Sequence, residues 1–158
     1  MQDIALSDSP LTAHDVARGI ARLFWQRKSH CLTEMMLPGG RRADIMSFGE
    51  DGRITIVEIK VSVADLRGDA KWRDYLPWCD EFYWGIPAGF EASLLDEACF
   101  SPEMSGLIVA DRFEAAVLRP PAQDSLAPAR RKRATLLFAR AAAARHMRNA
   151  DPFLEGRG

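Results

Sequence analysis

The first regular hydrophobic spacing along the chain is Val16, Ile20, Leu23 and Phe24, a helical stripe that excludes Arg18 and Arg22. Thr12, followed three residues on by Asp15, has the form of a capping box, and together these predict a helix over 12–28. CLTEMML at 31–37 predicts a short strand closed by the turn signal Pro38-Gly39-Gly40. RRADIMSF at 41–48 and RITIVEIKV at 53–61 flank Gly49-Glu50-Asp51-Gly52, a hairpin signal in which Asp-Gly supplies a residue tolerant of positive φ. Ser62 and Asp65 are cap residues for a short irregular stretch leading to a helix at 69–76, which Pro77 stops. EFYWGIP at 81–87 alternates Phe82, Trp84 and Ile86 and predicts a strand, and 91–98 is weakly helical. GLIVAD and RFEAAVL predict two more strands joined tightly at Asp111-Arg112. A linker-like stretch at 119–128 precedes an Ala/Arg-rich segment, 129–149, that is helical by composition. The order α-β-β-β-α-β-α-β-β-α predicts an α/β fold with one mixed sheet and helices on its faces.

Composition narrows the class. A chain of 158 residues, 47% hydrophobic and 27% charged, is one soluble globular domain. At this length roughly 70% of the unfolded surface is buried, so neither disulfides nor a structural metal is needed for folding. The expected division is an arm at 1–11, a core at 12–119, and a linker with a basic helix at 120–158 in the same domain. Cys31, Cys79 and Cys99 form no CxxC pair, and their odd number argues against a disulfide framework. MQDIALSDSP has neither a cationic start nor an apolar run, and no segment approaches the ~18 apolar residues of a membrane span, so a cytoplasmic protein without membrane contact is expected.

Net charge is −1, which by itself argues against a nucleic-acid partner. The average conceals a division: residues 1–125 carry 13 Lys/Arg against 20 Asp/Glu, whereas residues 126–158 carry 8 against 2. An acidic body therefore bears a basic tail containing Arg130, Arg131, Lys132, Arg133, Arg140, Arg145 and Arg148. Two readings of that tail are open: a phosphate-tracking helix whose contribution falls with salt, or a packing segment that balances the acidic body. Its basic and apolar positions do not gather on one clean helical face.

The hairpin register decides which side chains share a face. With a loop of Glu50, Asp51 and Gly52, Phe48 lies opposite Ile54, Met46 opposite Ile56 and Asp44 opposite Glu58, with Lys60 on the same face; a two-residue loop would set Asp44 diagonal to Glu58 on a neighbouring rung, and either register puts the two acids close together. Like charges at an opposed pair are destabilising, so something must offset them. One reading is a self-neutralising quartet of Arg42, Asp44, Glu58 and Lys60. The other is a divalent cation, held by Asp44, Glu58 and the backbone carbonyl of Ile59 as a hard oxygen site with room for water and phosphate.

Asp44, thirteen intervening residues and Glu58-Ile59-Lys60, preceded by a helix and followed by a helix and a strand, resemble the PD-(D/E)XK nuclease superfamily. GRRAD at 40–44, VEIK at 57–60, Asp69-Ala70-Lys71-Trp72 with Tyr75, and LAPARRK at 126–132 resemble the MmcB-like family of DNA repair proteins. Ala43 stands where the superfamily's name has a proline. The resemblance implies a restriction-endonuclease-like fold and Mg²⁺- or Mn²⁺-dependent hydrolysis of DNA phosphodiesters. Asp44 and Glu58 would be metal ligands, and Lys60 would orient or activate the attacking water. It also implies an additional acid from the preceding strand. Glu34 has that position, and is equally readable as an exposed strand glutamate. Arg41, Arg42 and Lys71 near the motif, and Arg130, Arg131 and Arg133 in the tail, are candidate phosphate contacts. Trp72 and Tyr75 read as core packing, and Asp65, Asp69 and Asp74 as capping or surface acids with the capacity to tune the site. His14, His30 and His146 are scattered and read as structural or exposed. A non-catalytic DNA-binding or scaffolding protein that keeps the nuclease fold is the competing expectation. A homodimer or a repair-protein partner is compatible with either.

Overall fold

A computed structural model of the chain describes residues 9–155; residues 1–8 of the expected arm, and 156–158, lie outside the described residues. Helix α1 spans Ala13–Gln26. Its start is the expected capping box: Thr12 Oγ1 accepts from Asp15 N at 3.2 Å, and Asp15 Oδ2 accepts from Thr12 N at 2.9 Å. Its stripe of Val16, Ile20 and Phe24 packs on Ile45, Val57, Ile59, Tyr83 and Ile108 of the sheet.

The sheet has six strands in sequential order: β1 (His30–Met36), β2 (Arg42–Phe48), β3 (Ile54–Ile59), β4 (Glu81–Pro87), β5 (Gly106–Ala110) and β6 (Ala115–Arg119). β1, β2 and β3 pair antiparallel, β3, β4 and β5 pair parallel, and β6 returns antiparallel to β5. This is the expected mixed sheet flanked by helices, consistent with a restriction-endonuclease-like fold. EFYWGIP does not present one wet and one dry side. Six of its seven residues are buried, because a central parallel strand is covered on both faces.

The segment after β3 departs from the expected helix at 69–76. It forms a short helix α2 (Val63–Gly68), capped by the Ser62 side chain on Asp65 N, and then a 3₁₀ segment at Trp72–Trp78 that contains Pro77. The reason is the aromatic spacing. Trp72, Tyr75 and Trp78 recur every three residues, and a helix with three residues per turn buries all of them on one side. They join Phe82, Trp84 and Phe100 in a core whose edge-to-face rings have centroids 5.2–5.6 Å apart. The weak helical signal at 91–98 becomes two 3₁₀ turns, Ala92–Asp96 and Ala98–Phe100. The strand expected at 112–118 begins only at Ala115, since Asp111 Oδ1 accepts from Phe113 N and Glu114 N and closes a wider turn.

Helix α3 (Pro128–Ala150) lies on the same face as the aromatic core. Ala134, Leu137, Phe138 and Ala141 form its inward stripe, and the Phe138 ring packs tilted against Phe48 with centroids 4.5 Å apart. The tail thus has an apolar face after all. Small alanines serve as its contact residues, where the sequence reading looked for large side chains.

Candidate active site

The observed hairpin register is the one expected: Phe48 pairs with Ile54, Met46 with Ile56 and Ile45 with Val57. Pairing stops there. At the next rung the Asp44 side chain replaces the backbone, and its Oδ2 accepts from Ile59 N at 2.7 Å. Glu58 and Lys60 stand at the carboxyl end of β3, where α2 leaves the sheet, and Lys60 N donates to Gly85 O of β4 at 2.9 Å. Ligands commonly bind beyond the carboxyl ends of parallel strands. Ile59 lies between Glu58 and Lys60 with its side chain in the α1 layer.

Lys60 is buried and Glu58 is partly buried, with side chains 7% and 12% exposed. Glu58 Oε1 lies 3.6 Å from Lys60 Nζ, whereas Oε2 is buried without a hydrogen-bond partner. Burial first, and then the Asp44 charge beside it, push the Glu58 carboxyl up to about 8. Asp44 is raised too, by burial, against the Ile59 amide and Lys60, which favour its charge. For Lys60, burial disfavours the charge, but the carboxylates of Asp69, Glu58 and Asp65 outweigh it and raise its value, so the side chain is an ammonium. The closest of these is Asp69 Oδ2 at 2.9 Å, and Asp65 Oδ1 follows at 3.8 Å. The Tyr75 hydroxyl donates to Arg42 O at 2.9 Å; burial and the neighbouring Glu58 charge raise its value.

Asp44, Glu58 and Lys60 therefore meet, and other expected members do not join them. The quartet with Arg42 does not form: Arg42 Nη2 approaches Glu34 Oε1 at 3.8 Å, and Lys60 turns to Asp69. Glu34 has φ +50 and a 69% exposed side chain. It interrupts the β1–β2 ladder between Thr33↔Ile45 and Met35↔Ala43, so the strand does not aim it at Asp44. Arg41 pairs with Asp74 at 3.1 Å, and Lys71 is exposed. Among the described residues no group of three or more His, Cys, Asp or Glu is arranged to hold a metal. The donor set present is two carboxylates, one with an orphaned buried oxygen. That suits Mg²⁺, which is commonly held by one or two carboxylates and keeps several waters. A cavity of about 450 Å³, lined by Phe24, Arg27, Arg53, Glu81 and Tyr83, lies at the opposite, hairpin end.

The candidate phosphate contacts of the tail divide. Arg131 is a structural residue: its guanidinium donates to Gly52 O at 2.8 Å and to Asp80 Oδ2 at 2.9 Å. Asp80 also accepts from Ile54 N and Leu126 N, both at 2.8 Å. Burial opposes its charge, but Arg131 and these amides outweigh it and hold the carboxyl below the ordinary range. Arg130 and Arg133 lie over the Trp78 ring at 4.4 and 5.4 Å, cation–π contacts that leave Arg133 exposed. Further along α3, Arg145 donates to Glu34 O at 3.1 Å, so the basic helix runs toward the strand beside Asp44.

Asp69, expected only as a capping or surface acid with the capacity to tune the site, is the nearest partner of Lys60. The two lie nine positions apart and no periodicity links them; the turn from β3 through α2 brings them together.

Among the described residues no helix is long and apolar enough to cross a membrane. No protein of curated function matches the chain. A solved structure from Silicibacter pomeroyi, described as a protein of unknown function, is similar over 97% of this chain and 98% of its own, with 38% identity and a TM-score of 0.83. Residues 2–153 match the model of the DNA repair protein MmcB-like family, and the chain belongs to that family.

Proposed function

We propose that the chain is a nuclease of the PD-(D/E)XK type that hydrolyses DNA phosphodiester bonds with Mg²⁺ or Mn²⁺ in repair. The observation that carries the reading is the cluster of Asp44, Glu58 and Lys60, with one oxygen of Glu58 buried and unpartnered. Asp44 and Glu58 would hold the cation, which when bound lowers the pKa of water and stabilises charge on the phosphoryl group in flight. Lys60 is already protonated and cannot take a proton. Its role in this reading is to donate to the attacking water or a phosphate oxygen and so orient it. Arg42, Lys71, Arg130 and Arg133 are the DNA-backbone contacts of this reading, and Glu34, at the rim, is a ligand only if β1 rearranges.

The assay incubates wild type, Asp44→Ala and Lys60→Ala with nicked, branched, single-stranded and duplex DNA and Mg²⁺ or Mn²⁺. Metal-dependent cleavage that both substitutions abolish is the expected result. A second reading, a non-catalytic DNA-binding module, is favoured by the exposure of Glu34 and by the absence, among the described residues, of three acids arranged to hold a metal. It predicts salt-sensitive DNA binding that survives Asp44→Ala, with no cleavage by any of the three proteins.

A further inference from the structure

Lys60 stands between two pairs of acids, Asp44 and Glu58 on the sheet and Asp65 and Asp69 at α2. A lysine in that position has two possible partners with opposite consequences. Seated on Glu58 it would satisfy that carboxylate and leave nothing for a cation. The distances show the other arrangement. Asp69 Oδ2 lies 2.9 Å from Lys60 Nζ, within hydrogen-bond range, whereas Glu58 Oε1 at 3.6 Å is beyond it.

Asp69 is built to hold this position. Its side chain is 11% exposed, and its second oxygen accepts from Lys71 N at 3.0 Å, so both oxygens are occupied. The helix it terminates is itself anchored by the Ser62 cap, at 3.1 Å from Asp65 N. The backbone end of Lys60 is tied to Gly85. Asp65, 53% exposed and 3.8 Å away, has neither the burial nor the second anchor.

We infer that Asp69 is a positioning residue: it draws the Lys60 ammonium away from Glu58 and thereby keeps the Glu58 carboxylate available to a divalent cation. The inference rests on the reading of Asp44 and Glu58 as cation ligands, and the test separates the two. Calorimetric titration of Mn²⁺ into the full-length chain without DNA compares wild type, Asp44→Ala/Glu58→Ala, Asp69→Asn, Asp65→Asn and Lys60→Ala/Asp69→Asn. Wild type binds, and the double alanine variant does not. In Asp69→Asn the lysine falls back on Glu58, and binding weakens by about tenfold or more, the equivalent of one good ion contact. Asp65→Asn, which removes the same charge, costs less than about threefold, as for an exposed pair. Lys60→Ala/Asp69→Asn, with no ammonium to collapse, returns to within about threefold of wild type.

Wild-type protein that binds no Mn²⁺, or whose binding survives the double alanine change, overturns both readings. Binding lost in the double alanine variant but unchanged in Asp69→Asn overturns the inference alone, as does a Lys60→Ala/Asp69→Asn variant as weak as Asp69→Asn. A second measurement does not need Asp69→Asn to fold. The Lys60 ammonium resonance in ¹⁵N-labelled protein should persist unshifted in Glu58→Gln, because Asp69 holds it. Its disappearance there overturns the inference.

Discussion

Replacing Glu58 by glutamine should make the metal-free protein more stable, and by an amount that depends on pH. The Glu58 carboxyl, ordinarily at 4.5, is pushed up to about 8 by burial and the Asp44 charge. At about 1.36 kcal/mol per tenfold change in proton affinity, the shift destabilises the fold, relative to an unfolded chain that ionises freely, by roughly 4–5 kcal/mol above pH 8, about 3 near pH 7 and about 1 near pH 5. Below about pH 4 the group is protonated both folded and unfolded, and the penalty vanishes. Glutamine keeps the shape without the charge, so Glu58→Gln should gain up to about 3 kcal/mol near pH 7, or about 6–12 °C in Tm for a chain of this size. The assay is urea unfolding of both proteins in chelator at several pH values. The gain should shrink steadily as the pH falls from about 8 to about 4. A variant less stable than wild type near pH 7, or a gain that does not change with pH, would refute the reasoning. A strained carboxylate of this kind is a recurrent cost of function, and cation binding should recover it in wild type only.

Three further outcomes follow from the packing. Arg131→Ala leaves Asp80 buried with only its amide donors and should cost about 3–5 kcal/mol, read by urea unfolding, with faster proteolysis at 119–128 as α3 loosens. Gly19→Ala would set a methyl group 2.4 Å from Asp111 O and 2.8 Å from Glu114 O; backbone cannot yield cheaply, so a loss of about 1–3 kcal/mol in thermal unfolding is expected. Under the DNA-binding reading, exposed Lys132 and Arg140 replaced together by alanine should lower the slope of log affinity against log salt by about 2, with little change in stability.

Much of the fold was legible because local rules and tertiary structure agree. The Thr12/Asp15 capping box, the alternation flanking Asp51-Gly52 and the apolar run 81–87 each specify an element by short-range chemistry. Of the two hairpin registers the sequence allows, the structure has the one with the three-residue loop, and strand periodicity brings Asp44 and Glu58 close together in either. The helix expected at 69–76 from its caps and from Pro77 is instead a 3₁₀ segment at Trp72–Trp78, because Trp72, Tyr75 and Trp78 recur every three residues and are buried on one side together. The inward face of α3 has little trace in the sequence because alanine is nearly silent in a hydrophobicity pattern, yet Ala134 and Ala141 join Leu137 and Phe138 against the core.

By itself, then, the sequence determined the elements, their order and the pairing of two acids, since each depends on residues within a few positions or on strand periodicity. Only the tertiary structure decided what those acids are left free to do. Lys60 chooses between Glu58 and Asp69 by distances that arise where β3, β4 and α2 converge, Glu34 is exposed where its backbone takes a positive φ within β1, and Arg131 is consumed by Asp80. Side-chain partnership at a convergence of three elements has no periodic trace in the chain, because the geometry that selects the partner belongs to the packing.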